Sequence, residues 1–491
     1  MSRAISVRPA EATPQGRSRD WSRILSSPLM LPLVLLITFA VFAPTLGTWF
    51  WADDFWLMRS SQTTPIGKFI VQAFDYRNTE PPLPFYRPLY FISFRLCYAA
   101  FGQHAMAYHA LNLALHLGSV VLVWVIARRI LQSVFAANVA SLIFALHPGY
   151  TESVQFIARG NTVMVTFVYL LTLLGFMKYV DGGNRRLLYY AASIVGFAAA
   201  MLYHTAALSL VAVLPAYVFL IARTPPEALR LRSWLRFAPF VAIAIVMLAI
   251  QTRDDVSLSS YAQIGWYQYS AIGQYLGYAL FPVFETDWLR LDLPRLTLLT
   301  YLSMAGSLVM IGAALMLLDR RQWPYRGVFT ALWLFASLVP ATTLTPFFTP
   351  HPALLYLPGA ALGLFFVLVA RRVNEMLPAD LLRRASTFAP LLLTVLFAGY
   401  IALGLAHQRD VRAQDNRSFI VRLRESVPPL SPGSTLYVVN APLNLALFEG
   451  AWLEPAVQLY YGDVTVHAIS AEQAATIRAA DPAAQIFDNR P

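Results

Sequence analysis

The chain has 491 residues, 57% of them hydrophobic (AVILMFWYC) and only 13% charged, with 37 Lys+Arg against 26 Asp+Glu for a net charge of +11. Soluble domains carry roughly 25% charged residues, so this density cannot cover a water-facing surface and a soluble enzyme is excluded. Intrinsic disorder is excluded by the long apolar runs, and the single cysteine, Cys97, rules out an intramolecular disulfide or a Cys-rich metal site.

Apolar segments long enough to cross ~30 Å of hydrocarbon as helix recur along the chain. Eleven spans are expected, at 28–48, 107–127, 134–148, 162–177, 188–203, 205–221, 237–251, 298–318, 327–345, 353–370 and 387–406. The first follows a basic stretch (Arg3, Arg8, Arg17, Arg19, Arg23) and lacks a small-residue cleavage site, so it reads as a retained anchor. Basic residues then alternate by loop. They fill Arg128/Arg129, Lys178/Arg185/Arg186, Arg223/Arg230/Arg232/Arg236, Arg320/Arg321/Arg326 and Arg371/Arg372/Arg383/Arg384, whereas 149–161 holds only Arg159 and 346–352 holds none. Positive loops stay inside, so the excess charge belongs to anionic lipid and not to nucleic acid.

This parity divides the chain into a cytoplasmic N-terminus (1–27), an all-α polytopic membrane domain (28–406) and an extracytoplasmic tail (407–491). The outer side also receives the long loops 49–106 and 252–297. Apolar segments 88–106 and 266–284 are expected to be interfacial or re-entrant helices, because a further full crossing at 266–284 would flip the Arg320/Arg321 loop outward. The tail has strand-like STLYVVN (434–440) and DVTVHAI (463–469) around a helix-compatible stretch, which predicts a small α/β domain.

No Asp or Glu falls within the eleven spans; the polar exceptions of note are His109, Asn112 and His116, one helical stripe whose simplest role is helix packing. The acids gather at the outer face. Asp53 and Asp54 follow the first span inside TWFWADDFW, between aromatic residues expected at headgroup level. Like charges raise one pKa of such a pair and a cation lowers both, so it suits a general base beside a metal ligand; the alternative is a helix cap by Asp54. Glu152 lies just outside span three, near His147 and Arg159, and reads equally as a helix-start acid. Asp254 and Asp255 read as a solvated loop. The basic candidates for an anionic ligand on this face are Arg87, Arg95, Arg159, Arg290 and His351. Arginine suits phosphate because its planar fork engages two oxygens.

The order WFWADDFW, FYRPLYFISFRLCYAAFG…YHALNLALH, LIFALHPGYTESV…ARGN and, later, LVPATTLTPFFTPHPALLYLP resembles the GT-C glycosyltransferases. The likeness is greatest to the transmembrane O-mannosyltransferases with tetratricopeptide repeats and their bacterial relatives, over roughly 28–180 and more loosely 325–371. The resemblance implies a membrane transferase with a polyprenyl-phosphate sugar donor and a catalytic acid in the first outer loop. By position the acidic pair falls on Asp53 and Asp54, the HP-x-x-TE element on His147, Pro148, Thr151 and Glu152, and YRPL on Tyr86, Arg87, Pro88 and Leu89. The chain departs from the pattern at Arg159-Gly160-Asn161, which lacks the family's Asp, and at Pro-Ala around His351, which lacks its Glu-Arg. A small tail domain also stands where the repeats would be.

The expectation is therefore an inverting, hexosyltransferase-like membrane glycosyltransferase of a bacterial cytoplasmic membrane, with its site facing outward. Asp53 or Asp54 would be the base, assisted by Glu152; Arg87, Arg159 and His351 would face the donor phosphate; His147, Tyr86 and His109 would support them. A divalent cation (Mg²⁺ or Mn²⁺) on Asp53 and Asp54 is left open, and the acceptor (glycan, lipid or protein) is unassigned. Two other classes stay open: a multi-span lipid or glycan transporter or flippase, and a non-catalytic GT-C relative.

Overall fold

The computed structural model describes residues 26–75, 86–222, 231–251, 267–280, 295–317, 324–340, 352–376, 379–408 and 413–490. Among the described residues five helices are long and apolar enough to cross a membrane: Met30–Gly47, Ala105–Leu131, Ile157–Asp181, Arg186–Tyr203 and Ala353–Met376. A sixth arises if the bent pair Val134–Leu146 and Pro148–Gln155 is one span, and shorter apolar helices include Leu235–Ile250, Met304–Leu317 and Leu392–Ala406. Of the two segments expected to be interfacial or re-entrant, one forms the helix Pro88–Phe101 and the other the helix Tyr267–Leu280.

Burial separates centre from rim. In Ala353–Met376, 78% of the apolar window lies inside the protein, against 22% in Met30–Gly47 and in Arg186–Tyr203. The first is thus the axial helix, and the other two present leucines such as Leu36, Leu187 and Leu188 outward, where lipid replaces protein as the apolar solvent. Close crossings are made by small residues. A Cβ on Gly306 would lie 2.7 Å from the Cα of Gly277, and one on Gly363 would collide with the Ala140 carbonyl.

Two expected spans are broken for local reasons. Segment 134–148 turns by 46° at His147-Pro148, because the residue before proline is pushed out of the helical region and His147 sits at φ −67°, ψ 120°. Segment 205–221 passes from a 3₁₀ turn (Thr205–Ser209) through Leu210–Ala216 to a π-helical turn (Tyr217–Ile221). Pro215 lies inside it and removes one N–H from the ladder. The His109, Asn112 and His116 stripe is buried in the bundle. His116 donates from Nε2 to the Ala145 carbonyl (3.1 Å) and accepts at Nδ1 from the Tyr356 hydroxyl (2.7 Å), so it joins three segments by satisfied hydrogen bonds.

Both expected strands of the tail form, as β1 (Thr435–Val439) and β2 (Thr465–Ile469), and a further strand, β3 (Gln485–Asp488), completes a parallel sheet of order β2-β1-β3. Helices Leu443–Gly450 and Leu453–Tyr461 connect β1 to β2. The domain is not tethered loosely. Phe50, Phe55 and Met58 of the first outer loop share one apolar cluster with Phe419, Leu436, Leu453 and Val457. Asn416, which spells a glycosylation sequon with Arg417 and Ser418, is fully buried in this junction and so is closed to modification.

Overpacking a close crossing costs roughly 1–3 kcal/mol. Gly363→Ala is therefore expected to lower the thermal midpoint of the detergent-solubilised protein by a few degrees. Gly399→Ala, where an added Cβ meets nothing within 4 Å, should not.

Candidate active site

The site is built where the chain leaves the first span. Trp51–Asp54 forms a turn closed by the Asp54 N–H on the Trp51 carbonyl (3.2 Å), with Ala52 at φ 49°, ψ −123°. This is the first central position of a type II′ turn, which favours glycine. Gly102 adopts nearly the same conformation elsewhere (φ 53°, ψ −125°). An alanine held there carries strain of roughly 1–3 kcal/mol, which the surrounding contacts must hold in place. The helix Asp53–Thr63 starts immediately after it.

The turn sends the two adjacent carboxylates in different directions. Asp54 is fully buried, and its oxygens accept one hydrogen bond each from the backbone N–H of Trp51 (3.1 Å) and of Ala158 (2.8 Å). It ties the exit of the first span to the segment opening the helix Gly160–Asp181, and does not cap its own helix in the ordinary way. Tyr90 completes the clamp by donating its hydroxyl to the Ala158 carbonyl (2.6 Å). Asp53 instead faces outward and accepts from the indole N–H of Trp452 in the C-terminal domain (2.6 Å). Burial pushes the Asp54 carboxyl well above the usual carboxylate range, and the neighbouring Asp53 adds to it against the two N–H donors. Asp53 reaches solvent, but the protein packed around it strips enough water to raise its carboxyl as well, opposed by Trp452 and by the charge of Arg159 and reinforced by Glu152.

The aromatic residues around the pair do not form a lipid-facing belt. Trp51 is buried and stacked on Phe156 with centroids 4.1 Å apart, and Phe55 lies fully buried beneath Trp49. The outer loop is thick enough to have a core of its own, so these rings pack inward.

Glu152 and Arg159 form an ion pair (Arg159 Nε to Glu152 Oε1, 2.7 Å) within electrostatic range of Asp53. Arg159 is also close enough to Arg87 to disfavour its charge; burial and this repulsion bring the Arg87 guanidinium down to about 10, still protonated at neutral pH. Arg87 precedes the helix Pro88–Phe101 and contacts His204 Nε2 through Nη2 (2.9 Å). Asp53, Asp54, Glu152, Arg159 and Arg87 thus form one electrostatically linked cluster, running from the acidic pair through the Glu152–Arg159 ion pair to Arg87.

Other expected site residues fall elsewhere. His147 is buried in the bend, accepting at Nδ1 from the Gly149 N–H (3.1 Å) and donating from Nε2 to the Ala279 carbonyl (3.0 Å), so it pins the break and has no free nitrogen. Tyr86 is buried in the main apolar cluster, and His109 is buried beside the backbone of Thr48 and Gln155. His351 and Arg290 lie outside the described residues, as do Asp254 and Asp255. Three contributors were not anticipated from the sequence: Tyr90, Trp452 and His204. His204 carried a usable signal, as a polar break between two apolar runs at what parity makes an outer turn. Trp452 carried none.

Among the described residues no three His, Cys, Asp or Glu side chains come together as metal ligands. Asp54 has an N–H on each oxygen and diverges from Asp53, so these two carboxylates do not fit a shared divalent centre. A separate cavity of about 620 Å³ opens beside the cluster's loop, lined by Trp49, Phe101, His104, Met106 and Arg417 among others.

The fold is similar to that of the apo structure of ArnT from Cupriavidus metallidurans, with which the chain aligns at a TM-score of 0.51 and 13% identity, covering 94% of this chain and 88% of that one. An undecaprenyl-phosphate complex of the same protein aligns at a TM-score of 0.49 and 12% identity, covering 94% and 89%. In sequence, the chain is 35% identical over 95 residues to the protein O-mannosyl-transferase Tmtc1 of Drosophila melanogaster, 19% of this chain and 11% of that one. It is 30% identical over 177 residues to Tmtc2 of the same organism, 34% of this chain and 19% of that one. The chain thus spans less than a fifth of the length of these relatives. No family model matches it.

The divided roles of the acidic pair can be separated by stability. An Asn at 54 can accept from only one of the two N–H donors and faces the other with an amide, which costs about 1–3 kcal/mol. Asp54→Asn is expected to lower the thermal midpoint clearly, and Asp53→Asn to leave it near wild type.

Proposed function

We propose that this protein is a GT-C-type glycosyltransferase that moves a sugar from a polyprenyl-phosphate donor to an acceptor hydroxyl on the extracytoplasmic face of its membrane. The observation that carries this reading is the polarity of the cluster: Asp53, outward-facing, stands at one end, with Arg159 and Arg87 at the other. Transfer from a lipid phosphate needs both ends at once. A base must take the acceptor proton, and fixed positive charge must meet the negative charge that develops on the leaving phosphate. Undecaprenyl phosphate, the lipid bound in the second ArnT structure, is a donor carrier of the required class.

Asp53 is the general base. It receives the acceptor hydroxyl proton as the new glycosidic bond forms, while the sugar–phosphate bond breaks and the electron pair leaves on the phosphate. Attack from the side opposite the phosphate inverts the anomeric carbon. Asp54 reaches no reactant; it fixes the turn that aims Asp53. Glu152 holds Arg159 toward the phosphate end instead of acting as an acid. No metal enters this scheme, because a monophosphate leaving group can be neutralised by guanidinium groups alone. The alternation of basic and sparsely basic loops supports an outward-facing site in a bacterial-type cytoplasmic membrane, and the acceptor is defined by no more than its hydroxyl.

Asp53→Asn, assayed in membranes with a labelled polyprenyl-phosphate hexose, should reduce transfer at least about 100-fold, the usual scale for losing a general base. Full transfer by this variant would sink the mechanism. The base must be ionised, so the rate should fall on the acid side with an apparent pKa above the ordinary 3.8 of an aspartate. Trp452→Phe removes a hydrogen bond that favours the ionised form, so the acid limb should move to still higher pH. A limb that stays put or moves lower would contradict the assigned contact.

A further inference from the structure

His204 sits in the turn between the helix Arg186–Tyr203 and the 3₁₀ turn Thr205–Ser209, buried but for 9% of its surface. The turn is anchored to the donor side of the cluster by the Tyr203 hydroxyl, which bonds Ser93 Oγ at 2.9 Å in the same helix that Arg87 precedes. Two hydrogen-bond donors address the imidazole. The Ala206 backbone N–H points at Nδ1 (3.0 Å), and the Arg87 guanidinium, which has no acceptor atom, lies 2.9 Å from Nε2.

A neutral imidazole offers one lone pair and one N–H. Burial and the Arg87 charge hold His204 well below the usual histidine range, so it is neutral at physiological pH. Nδ1 accepts from a backbone N–H that cannot be removed, so the ring proton belongs on Nε2. Nε2–H then faces the N–H of Arg87, donor to donor, in a buried place where an unmet hydrogen bond is costly. The His204 Nε2–H becomes satisfied if an oxygen with spare lone pairs accepts from it, and the same oxygen can accept from the facing Arg87 N–H. A charged oxygen gains most, since Arg87 supplies the positive charge and His204 a neutral, directional donor.

We propose that Arg87 and His204 form a two-donor seat for a single phosphate oxygen of the polyprenyl-phosphate donor, with His204 a donor-binding residue in its own right. The assignment rests on the transferase reading for the identity of the ligand, whereas the donor-to-donor facing of Arg87 and His204 does not depend on it. Arg159 lies within electrostatic range of both Asp53 and Arg87, so it links the seat to the base.

The test uses the full-length protein in lipid nanodiscs, titrated with undecaprenyl phosphate, with undecaprenol and inorganic phosphate as parallel probes. His204→Ala should weaken undecaprenyl phosphate binding about tenfold, the scale of one charge-assisted hydrogen bond. His204→Gln, whose side-chain amide can still donate, should recover most of it. Undecaprenol should bind both variants as it binds wild type, and Asp53→Asn should bind the lipid phosphate normally, which separates the seat from catalysis. Thermal midpoints near wild type for both His204 variants make the binding readout valid; if His204→Ala unfolds, the Gln variant alone decides, and wild-type affinity there supports the seat. Unchanged affinity in His204→Ala alongside a loss in Arg87→Ala would overturn the role of His204. Unchanged affinity in both would overturn the lipid-phosphate reading itself. Inorganic phosphate competing as well as the lipid at equal concentration would overturn the lipid assignment of the seat.

Discussion

The buried carboxylate of Asp54 ties two distant segments of this protein together. A charge-bearing group with no exposed surface is tolerable only where hydrogen bonds replace lost water, and here two backbone N–H groups do so, one from Trp51 and one from Ala158. Those donors lie more than 100 positions apart in sequence, so one side chain closes the first outer loop onto the entry to the helix Gly160–Asp181. Everything at the site follows from that closure. It maintains the strained conformation of Ala52, it turns Asp53 away from its neighbour, and it brings Arg159 beside the pair. Two adjacent acids thereby become one structural and one exposed carboxylate, with different environments and different tasks.

The membrane explains why the chemistry is gathered at one end. Ionisable groups are costly at bilayer depth, so the spans are emptied of acid and the polar residues left within them, such as His116, are spent on helix packing. Chemistry requiring charge must then sit at the ends of helices. Two breaks interrupt the apolar helices: His147-Pro148 bends one segment by 46°, and His204 interrupts the chain beside Arg87. The C-terminal domain covers this level, with Trp452 resting on Asp53 and its core fused to that of the outer loop.

Much of this was legible in the sequence for a physical reason. Span positions follow from twenty-residue apolar runs and basic loops, signals that are local and strong, and each of the eleven expected segments coincides wholly or in part with helix among the described residues. The tail strands at 434–440 and 463–469 were visible as β-branched and aromatic alternation, whereas Gln485–Asp488 is too short and polar to announce itself. Asp53, Asp54, Glu152, Arg87 and Arg159 were identified as candidates, but their division of labour was not. Which carboxylate is buried depends on Ala158, and which hydrogen bond Asp53 accepts depends on Trp452, a residue 399 positions away. His147 and Tyr86 illustrate the converse case: residues of a specific motif whose observed contacts are structural.

The central claim is that the cluster is polar by design, a base at one end and a phosphate seat at the other. A cryo-electron microscopy structure of the protein in nanodiscs with undecaprenyl phosphate tests it most directly. The account predicts density for the phosphate against Arg87 and His204, with Arg159 turned toward it and Asp53 on the opposite side of the sugar-binding space. Phosphate density lodged instead in the neighbouring cavity lined by Trp49, His104 and Arg417, with Arg87 and His204 untouched, would contradict it.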